Sequence, residues 1–191
     1  MRNVSCLLVA ASMAGLAGCA ANPQETILPL PREDVVRVPT GDATADVRIQ
    51  RQDFISRAEL NAPRAMVWEV LPAVFTEIGL PQPIMDRTQW LALVDNHALI
   101  RRLGKEALSR LLLCGSGMSG ENADTRRVRL TVRTLLESTT AERTVVLTRV
   151  EALAHALDGT STAPAECTSR GTLEAMIANG LRSRVAGAPD R

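Results

Sequence analysis

The sequence predicts an α+β fold: an antiparallel sheet of about four strands, flanked by a long helix on its N-terminal side and a second helix at its C-terminal end. Three observations predict it. An apolar set spaced by threes and fours runs from Val67 to Ile78. Two alternating segments, Arg127–Leu135 and Thr144–Leu153, face each other across a polar turn. A further helical period closes the chain at Leu173, Met176, Ile177 and Leu181. Strands in runs, rather than singly between helices, favour antiparallel pairing.

In order along the domain, Phe54, Ser56, Ala58 and Leu60 alternate with Ile55, Arg57 and Glu59, the period of a half-buried strand. Asn61 and Pro63 then supply a helix start, since proline is tolerated in a first turn. Val67, Val70, Leu71, Val74, Phe75 and Ile78 form the core face of that helix, and Gly79 and Pro81 end it. Pro72 removes one helical hydrogen bond, so a kink is predicted there. Trp90, Ala92 and Val94 predict a second strand closed by Asp95-Asn96. From Leu99 to Leu113 a short helix is predicted, with Leu103, Ala107, Leu108, Leu111 and Leu112 on one side and Gly104 interrupting it.

The clearest hairpin comes next. Val128, Leu130 and Val132 share one face of its first strand and Arg127, Arg129 and Arg133 the other. After the turn Ser138–Glu142, Val146, Val150 and Ala152 continue the apolar face, and Arg149 projects with the arginines. Exchanging the faces would bury three arginines, so register is strongly specified. Like charges directly opposed repel, so register or an acid such as Glu151 must relieve Arg149 and its neighbours. Asp158–Glu166 reads as a loop, and Thr168 or Ser169 as the cap of the last helix.

The first residues carry a different signal. Arg2, the apolar run Cys6–Ala17 and the small residues of Leu16-Ala17-Gly18-Cys19 have the form of a secretory signal ending in a lipobox, which makes Cys19 the lipidated first residue of the mature chain. The expected organisation is a signal peptide over 1–18, a lipidated N-terminus and flexible tether over 19–51, one α+β domain over 52–186 and a tail over 187–191. Pro23, Pro29, Pro31 and Pro39 break up any period in the tether. No second apolar stretch approaches the ~20 residues that span a bilayer. Ala20 after the lipidated cysteine implies sorting to the outer membrane, as in lipoproteins of bacteria with two membranes, where Asp signals inner-membrane retention.

Removing residues 1–18 takes away one base, Arg2, and no acid, leaving 21 basic against 21 acidic residues. A neutral mature chain is a poor general binder of nucleic acid. Cys114 and Cys167 are then the remaining pair, and in an oxidising compartment one disulfide between them is the economical reading. It closes a loop of about fifty residues, worth ~4 kcal/mol by loop-closure entropy. A metal site gains no support, because His97 and His155 lack zinc-like spacing to either cysteine.

Other candidates have duller explanations. Gly115-Ser116-Gly117-Met118-Ser119-Gly120 matches a dinucleotide fingerprint in letters, but here a helical segment precedes it and a strand follows, the reverse of what pyrophosphate binding requires. Neither Ser116 nor Ser119 sits in a nucleophile elbow. His97 and His155 lack an Asp/Ser constellation, and Glu121 and Asp124 lie in a polar turn without a calcium-loop pattern. Two Trp, two Phe and no Tyr argue against a sugar site. No catalytic residue, cofactor or metal is expected. The candidate partner-binding residues are Arg127, Arg129, Arg133 and Arg149, facing an acidic partner or lipid headgroups.

Val67-Trp68, Glu77-Ile78-Gly79-Leu80 and Asp86-Arg87-Thr88-Gln89-Trp90-Leu91-Ala92-Leu93-Val94 together resemble the repeated helix-grip module of lipoprotein component C of the β-barrel assembly machinery. There a Trp-bearing helix ends at a glycine and leads through an acidic turn into a strand. Ala62-Pro63 followed by Val67-Trp68 is also similar to the opening of START-like ligand-binding domains. The chain departs from component C in having one module rather than two and a cysteine pair. The resemblance implies a helix-grip-like arrangement and a non-catalytic envelope lipoprotein that docks on other proteins at the periplasmic face of the outer membrane. The alternative it implies is a carrier of a small apolar ligand, in a groove lined by Val70, Val74, Val128 and Leu130.

Overall fold

The computed structural model describes residues 26–40, 43–157 and 163–187. Along them run β1 (Thr26–Thr40), β2 (Ala43–Leu60), α1 (Arg64–Ile78), β3 (Ile84–Asp86), β4 (Leu91–Ile100), β5 (Arg102–Leu103), β6 (Glu106–Ala107) and α2 (Leu108–Leu111). There follow β7 (Leu112–Leu113), β8 (Ser116–Gly117), β9 (Gly120–Glu121), α3 (Asn122–Thr125), β10 (Arg127–Thr140), β11 (Arg143–His155), β12 (Ala165–Ser169) and α4 (Thr172–Ala186). The fold is α+β. Its main sheet is antiparallel, in the order β1-β2-β11-β10-β4-β3. β2 flanks β11 over Thr144–Arg149, β12 takes up the same edge at Ala152–Ala154, and β7 pairs with β12.

This sheet has eight strands, about twice the number expected from periodicity. β3, β7 and β12 are too short to show a period, and β1 lies in the stretch assigned to the tether. There β1 pairs with β2 from Thr26↔Arg57 to Thr40↔Ala43, so much of 19–51 is an extended hairpin rather than a tether. Prolines break a helical or alternating period but are compatible with an edge strand. Pro29, Pro31 and Pro39 share one parity on the outermost strand of the sheet. Beyond a two-residue connection, that parity belongs to the non-hydrogen-bonded pairs, where a missing N–H faces away from the partner. Cys19 and the whole of 1–18 lie outside the described residues, as do 188–191 of the tail.

β10 and β11 form the predicted hairpin, in register from Arg127↔His155 to Ser138↔Thr144, with a shift before the last pair, Thr140↔Arg143. Val128, Leu130, Val132, Thr134 and Leu136 are all but fully buried, alternating with exposed or half-buried residues. Thr144, Val146, Thr148, Val150, Ala152 and Ala154 continue the buried face on β11, and Ser56, Ala58 and Leu60 extend it on β2. The hydroxyls of Thr134 and Thr148, directly opposed in that core, bond each other at 3.3 Å, which removes the penalty of burying them. α1 covers this face with Val67, Leu71, Val74 and Phe75, and α4 with Leu173, Ile177, Ala178 and Leu181. The two helices touch closely, since a Cβ on Gly180 would lie 2.7 Å from Val74 Cγ1.

α1 begins after Pro63 and ends at Gly79, whose φ of 91° allows Leu80 N to bond Phe75 O at 2.9 Å. Thr144 Oγ1 donates to Ala62 O at 2.7 Å and pins the turn into the helix against β11. The second predicted strand does not close at Asp95-Asn96. β4 runs through them to Ile100 by a bulge in which both residues oppose Thr131. Asn96 takes a φ of 51°, its N–H donates to Thr131 Oγ1 at 3.1 Å, and that hydroxyl meets Asp95 Oδ1 at 3.2 Å.

The helix predicted over Leu99–Leu113 is replaced by the end of β4, the β5–β6 hairpin, the single turn α2 and β7. Leu103, Leu108, Leu111 and Leu112 are buried as the pattern demanded, but separate elements bury them. Gly104 decides the outcome. It takes a φ of +55° in the β5–β6 turn and lies so close to the end of α1 that a Cβ would stand 2.8 Å from Ile78 O. The last helix is also capped differently. Gly171, with a φ of 78°, is the N-cap, while Thr168 and Ser169 belong to β12. Ser169 Oγ still serves the helix start, accepting from Gly171 N at 3.1 Å and donating to buried Glu174 Oε2 at 2.8 Å.

Cys114 and Cys167 are joined by a disulfide with Cα atoms 4.1 Å apart, tying the excursion between β4 and β10 to β12. The glycine-rich stretch after Cys114 is the small β8–β9 hairpin, held at its base by Asn122 Nδ2 donating to Cys114 O at 3.0 Å. No helix among the described residues is long and apolar enough to cross a membrane.

Candidate interaction surface

Side-chain alternation puts every second residue of β10 and β11 on the sheet face opposite α1 and α4. Register then lines those residues up across strands. One row runs Leu91–Leu135–Leu147–Arg57, and the next Ile84–Leu93–Arg133–Arg149–Ile55. Thr131 faces Glu151, then Ala98–Arg129–Leu153–Glu166 forms a row, and Ile100–Arg127–His155 ends the face. The four arginines singled out by sequence therefore share one face. The surface is amphipathic, with half-buried leucines at one end and arginines at the other.

Its charges are unevenly paired. Arg133 and Arg149 are directly opposed, so register does not separate them. Glu151 relieves the repulsion instead, its Oε1 lying 2.6 Å from Arg149 Nη2. Arg57 meets Glu59 at 3.5 Å on β2. Arg127, Arg129 and Arg133 are exposed and make no ion pair among the described residues. Arg149 is thus the anchored member of the set, and the three on β10 are the available ones. Sequence reasoning missed the aliphatic side chains beside them: Ile84 is 67% exposed, Ile100 51% and Leu153 39%. Leu153 could have been found, because it shares the parity of Arg149 and Glu151.

A second cluster joins the residues that carry the resemblance. Trp68 and Trp90 meet edge to face with ring centroids 5.5 Å apart. Arg64 and Arg87 each lie over the Trp90 ring, at 4.0 and 4.1 Å from its centroid, and Arg87 also meets Glu69 at 3.3 Å. Asp86 sets the turn that delivers Arg87. Its Oδ1 accepts from Thr88 Oγ1 at 2.6 Å, Thr88 N at 2.9 Å and Gln89 N at 3.2 Å. These bonds, chiefly the one from the Thr88 hydroxyl, hold its carboxyl below the ordinary aspartate range. The cluster latches α1 to the start of β4.

Elsewhere the candidates stay apart. His97 sits beside the bulge opposite Leu130 and His155 ends β11 opposite Arg127, and neither bonds an acid or a hydroxyl among the described residues. Asp124 Oδ1 accepts from Ser109 N at 2.9 Å, a structural bond. No group of three His, Cys, Asp or Glu able to hold a metal occurs among the described residues. A depression of about 580 Å³ lies between Glu106, Ser109, Arg110, Arg170, Thr172 and Met176, where Arg110 is already engaged by Glu106 at 3.5 Å. Of the expected groove residues, Val74, Val128 and Leu130 are completely buried between helices and sheet, and Val70 is half-buried. No protein-family model, curated protein or solved structure matches the chain. The class that the geometry itself defines is an α+β domain with a buried helix–sheet interior and, on the other side of β10, a face where Arg127, Arg129 and Arg133 are exposed.

Proposed function

We propose that this protein is a non-catalytic envelope lipoprotein, anchored through lipid on Cys19 at the periplasmic face of the outer membrane and serving as a docking or accessory module for other envelope proteins. The observation that carries the reading is the contrast between the two faces of β10. One is buried beneath α1 and α4, and the other presents Arg127, Arg129 and Arg133 without acidic partners among the described residues. The burial of Val74, Val128 and Leu130 between helices and sheet favours docking over carriage of an apolar ligand in a groove that those residues would line. The lipobox Leu16-Ala17-Gly18-Cys19 and the Cys114–Cys167 disulfide both suit an oxidising envelope compartment.

Expression of the full-length chain and of a Cys19→Ser variant, followed by fractionation and mass spectrometry, tests the anchor. The wild-type product should fractionate with membranes and carry acyl mass on Cys19, and the variant should lack that mass. Acyl-free wild-type protein in the soluble fraction would remove the lipoprotein half of the reading.

A further inference from the structure

We infer that the β10 arginine face recognises an acidic, extended segment of a partner protein, with Arg127, Arg129 and Arg133 meeting its carboxylates and Ile100, Leu153 and Ile84 meeting its apolar side chains. The inference rests on the docking reading and specifies its surface and the partner's chemistry.

Three observations converge. First, register denies each of these arginines a directly opposed acid. Arg127 lies between Ile100 and His155, Arg129 between Ala98 and Leu153, and Arg133 between Leu93 and Arg149. Glu151, the nearest acid across the hairpin, is engaged by Arg149 at 2.6 Å. Second, each arginine has an exposed aliphatic neighbour in its own row: Ile100 beside Arg127, Leu153 beside Arg129, and Ile84 one strand beyond Leu93 from Arg133. Guanidinium groups set among exposed aliphatic side chains suit a partner that is both acidic and apolar. Third, the spacing is that of an extended chain. At ~3.3 Å per residue, Arg127 and Arg129 stand ~7 Å apart and Arg133 ~13 Å further on. Carboxylates two and six residues from a first one, along a strand laid over β10, would meet all three.

A lipid surface fits less well. Glu59, Glu137, Glu151 and Glu166 belong to the same face, and a uniformly anionic bilayer would repel them, whereas a patterned polypeptide need not. Nor do the two tryptophans supply the aromatic anchors that favour a membrane interface, since Trp68 and Trp90 are committed to each other and to Arg64 and Arg87.

The test uses the full-length chain in cells, with a photo-crosslinking amino acid at Leu153, or at exposed Asn179 on α4 as the control. Adducts are mapped to the crosslinked peptide. The expected result is a protein adduct from Leu153 on an Asp/Glu-rich segment. Its yield should fall about tenfold when Arg127, Arg129 and Arg133 are all changed to Ser, and be largely kept when they become Lys. The unfolding midpoint of the purified variants should not fall below that of the wild type, which separates lost docking from lost folding. An adduct on a segment without acids, or one indifferent to the serine changes, overturns the inference. So does a Leu153 site that yields only lipid adducts, with wild-type protein but not the serine variant co-sedimenting with phosphatidylglycerol/phosphatidylethanolamine vesicles. Protein adducts from Asn179 alone would overturn this surface and leave the docking reading standing. Absence of protein adducts from both sites would sink the two together.

Discussion

At the scale of single residues, two small features carry more of this fold than their size suggests. Gly104 has a φ of +55°, and a Cβ there would lie 2.8 Å from Ile78 O. Gly104→Ala combines left-handed strain with a backbone clash, for an expected loss of about 2–4 kcal/mol in urea unfolding. Gly120 separates the two causes, because its φ is +108° but nothing lies within 4 Å of an added Cβ. Gly120→Ala should therefore lose only about 1–3 kcal/mol of backbone strain. A loss at Gly104 no larger than the ~1–2 kcal/mol that left-handed backbone alone costs would mean that its contact with α1 contributes nothing. Asp86 makes a pH prediction. Its folded pKa is lowered, first by the Thr88 hydroxyl, so the unfolded chain binds the proton more readily. Its contribution is complete above the ordinary aspartate value of ~3.9 and disappears as pH falls through the lower folded value. A carboxyl titration by NMR should place its midpoint below that of a free aspartate, and Asp86→Ala should flatten the acid limb of stability against pH. A midpoint at or above the ordinary value would remove the capping role. Neither feature was legible in sequence. Gly104 looked like a flaw in a helix, and only the neighbouring end of α1 explains it.

Elements differed in legibility according to whether their period was unique. β10 alternates over Arg127–Glu137 and β11 over Val146–His155, with Val145 buried out of turn, and the three arginines fix which face is out, so strand, register sense and solvent face followed together. α1 was equally clear, because no strand can place Val67, Leu71, Val74 and Phe75 on one side. The Leu99–Leu113 segment differed because Leu103, Leu108, Leu111 and Leu112 fit a helical face and are buried by three short pieces, β5, α2 and β7, instead. Burial was read correctly there and conformation was not. In β1, proline parity on an edge strand only becomes meaningful once the partner strand is known. Such short pieces hold little structure alone, so the disulfide restrains them together with their buried leucines and the β7–β12 pairing. Cys114 and Cys167 are 53 residues apart in sequence. Replacing both by Ser should lower stability by about 2–4 kcal/mol, and a reducing agent should reproduce that shift in the wild-type protein but not in the variant. Hydrogen exchange should then rise first between β5 and α3. Uniformly raised exchange with no local preference would show instead that the bond stabilises the whole domain through its unfolded state alone.

For the whole molecule, the decisive property is that one strand separates two environments. Leu130 is 1% exposed beneath α1 and α4, and the next residue along, Arg129, stands in solvent on the other side. If the helical side is structure and the arginine side is surface for contact, adjacent substitutions must behave oppositely. Leu130→Ala should lose about 2–5 kcal/mol by cavity formation. Arg129→Ser should change stability by no more than about 0.5 kcal/mol. Among the arginines, Arg149 should be the exception, because it is held by Glu151 at 2.6 Å and is only 26% exposed. Its removal leaves Glu151 without that partner, whereas removal of Arg133 relieves a directly opposed like charge. The order of urea midpoints should accordingly be Arg133→Ser at or above wild type, Arg129→Ser close to it, Arg149→Ser below it and Leu130→Ala lowest. A midpoint for Arg129→Ser or Arg133→Ser as low as that of Arg149→Ser would mean that these side chains support the fold itself. They would then serve the domain itself rather than stand free for a partner.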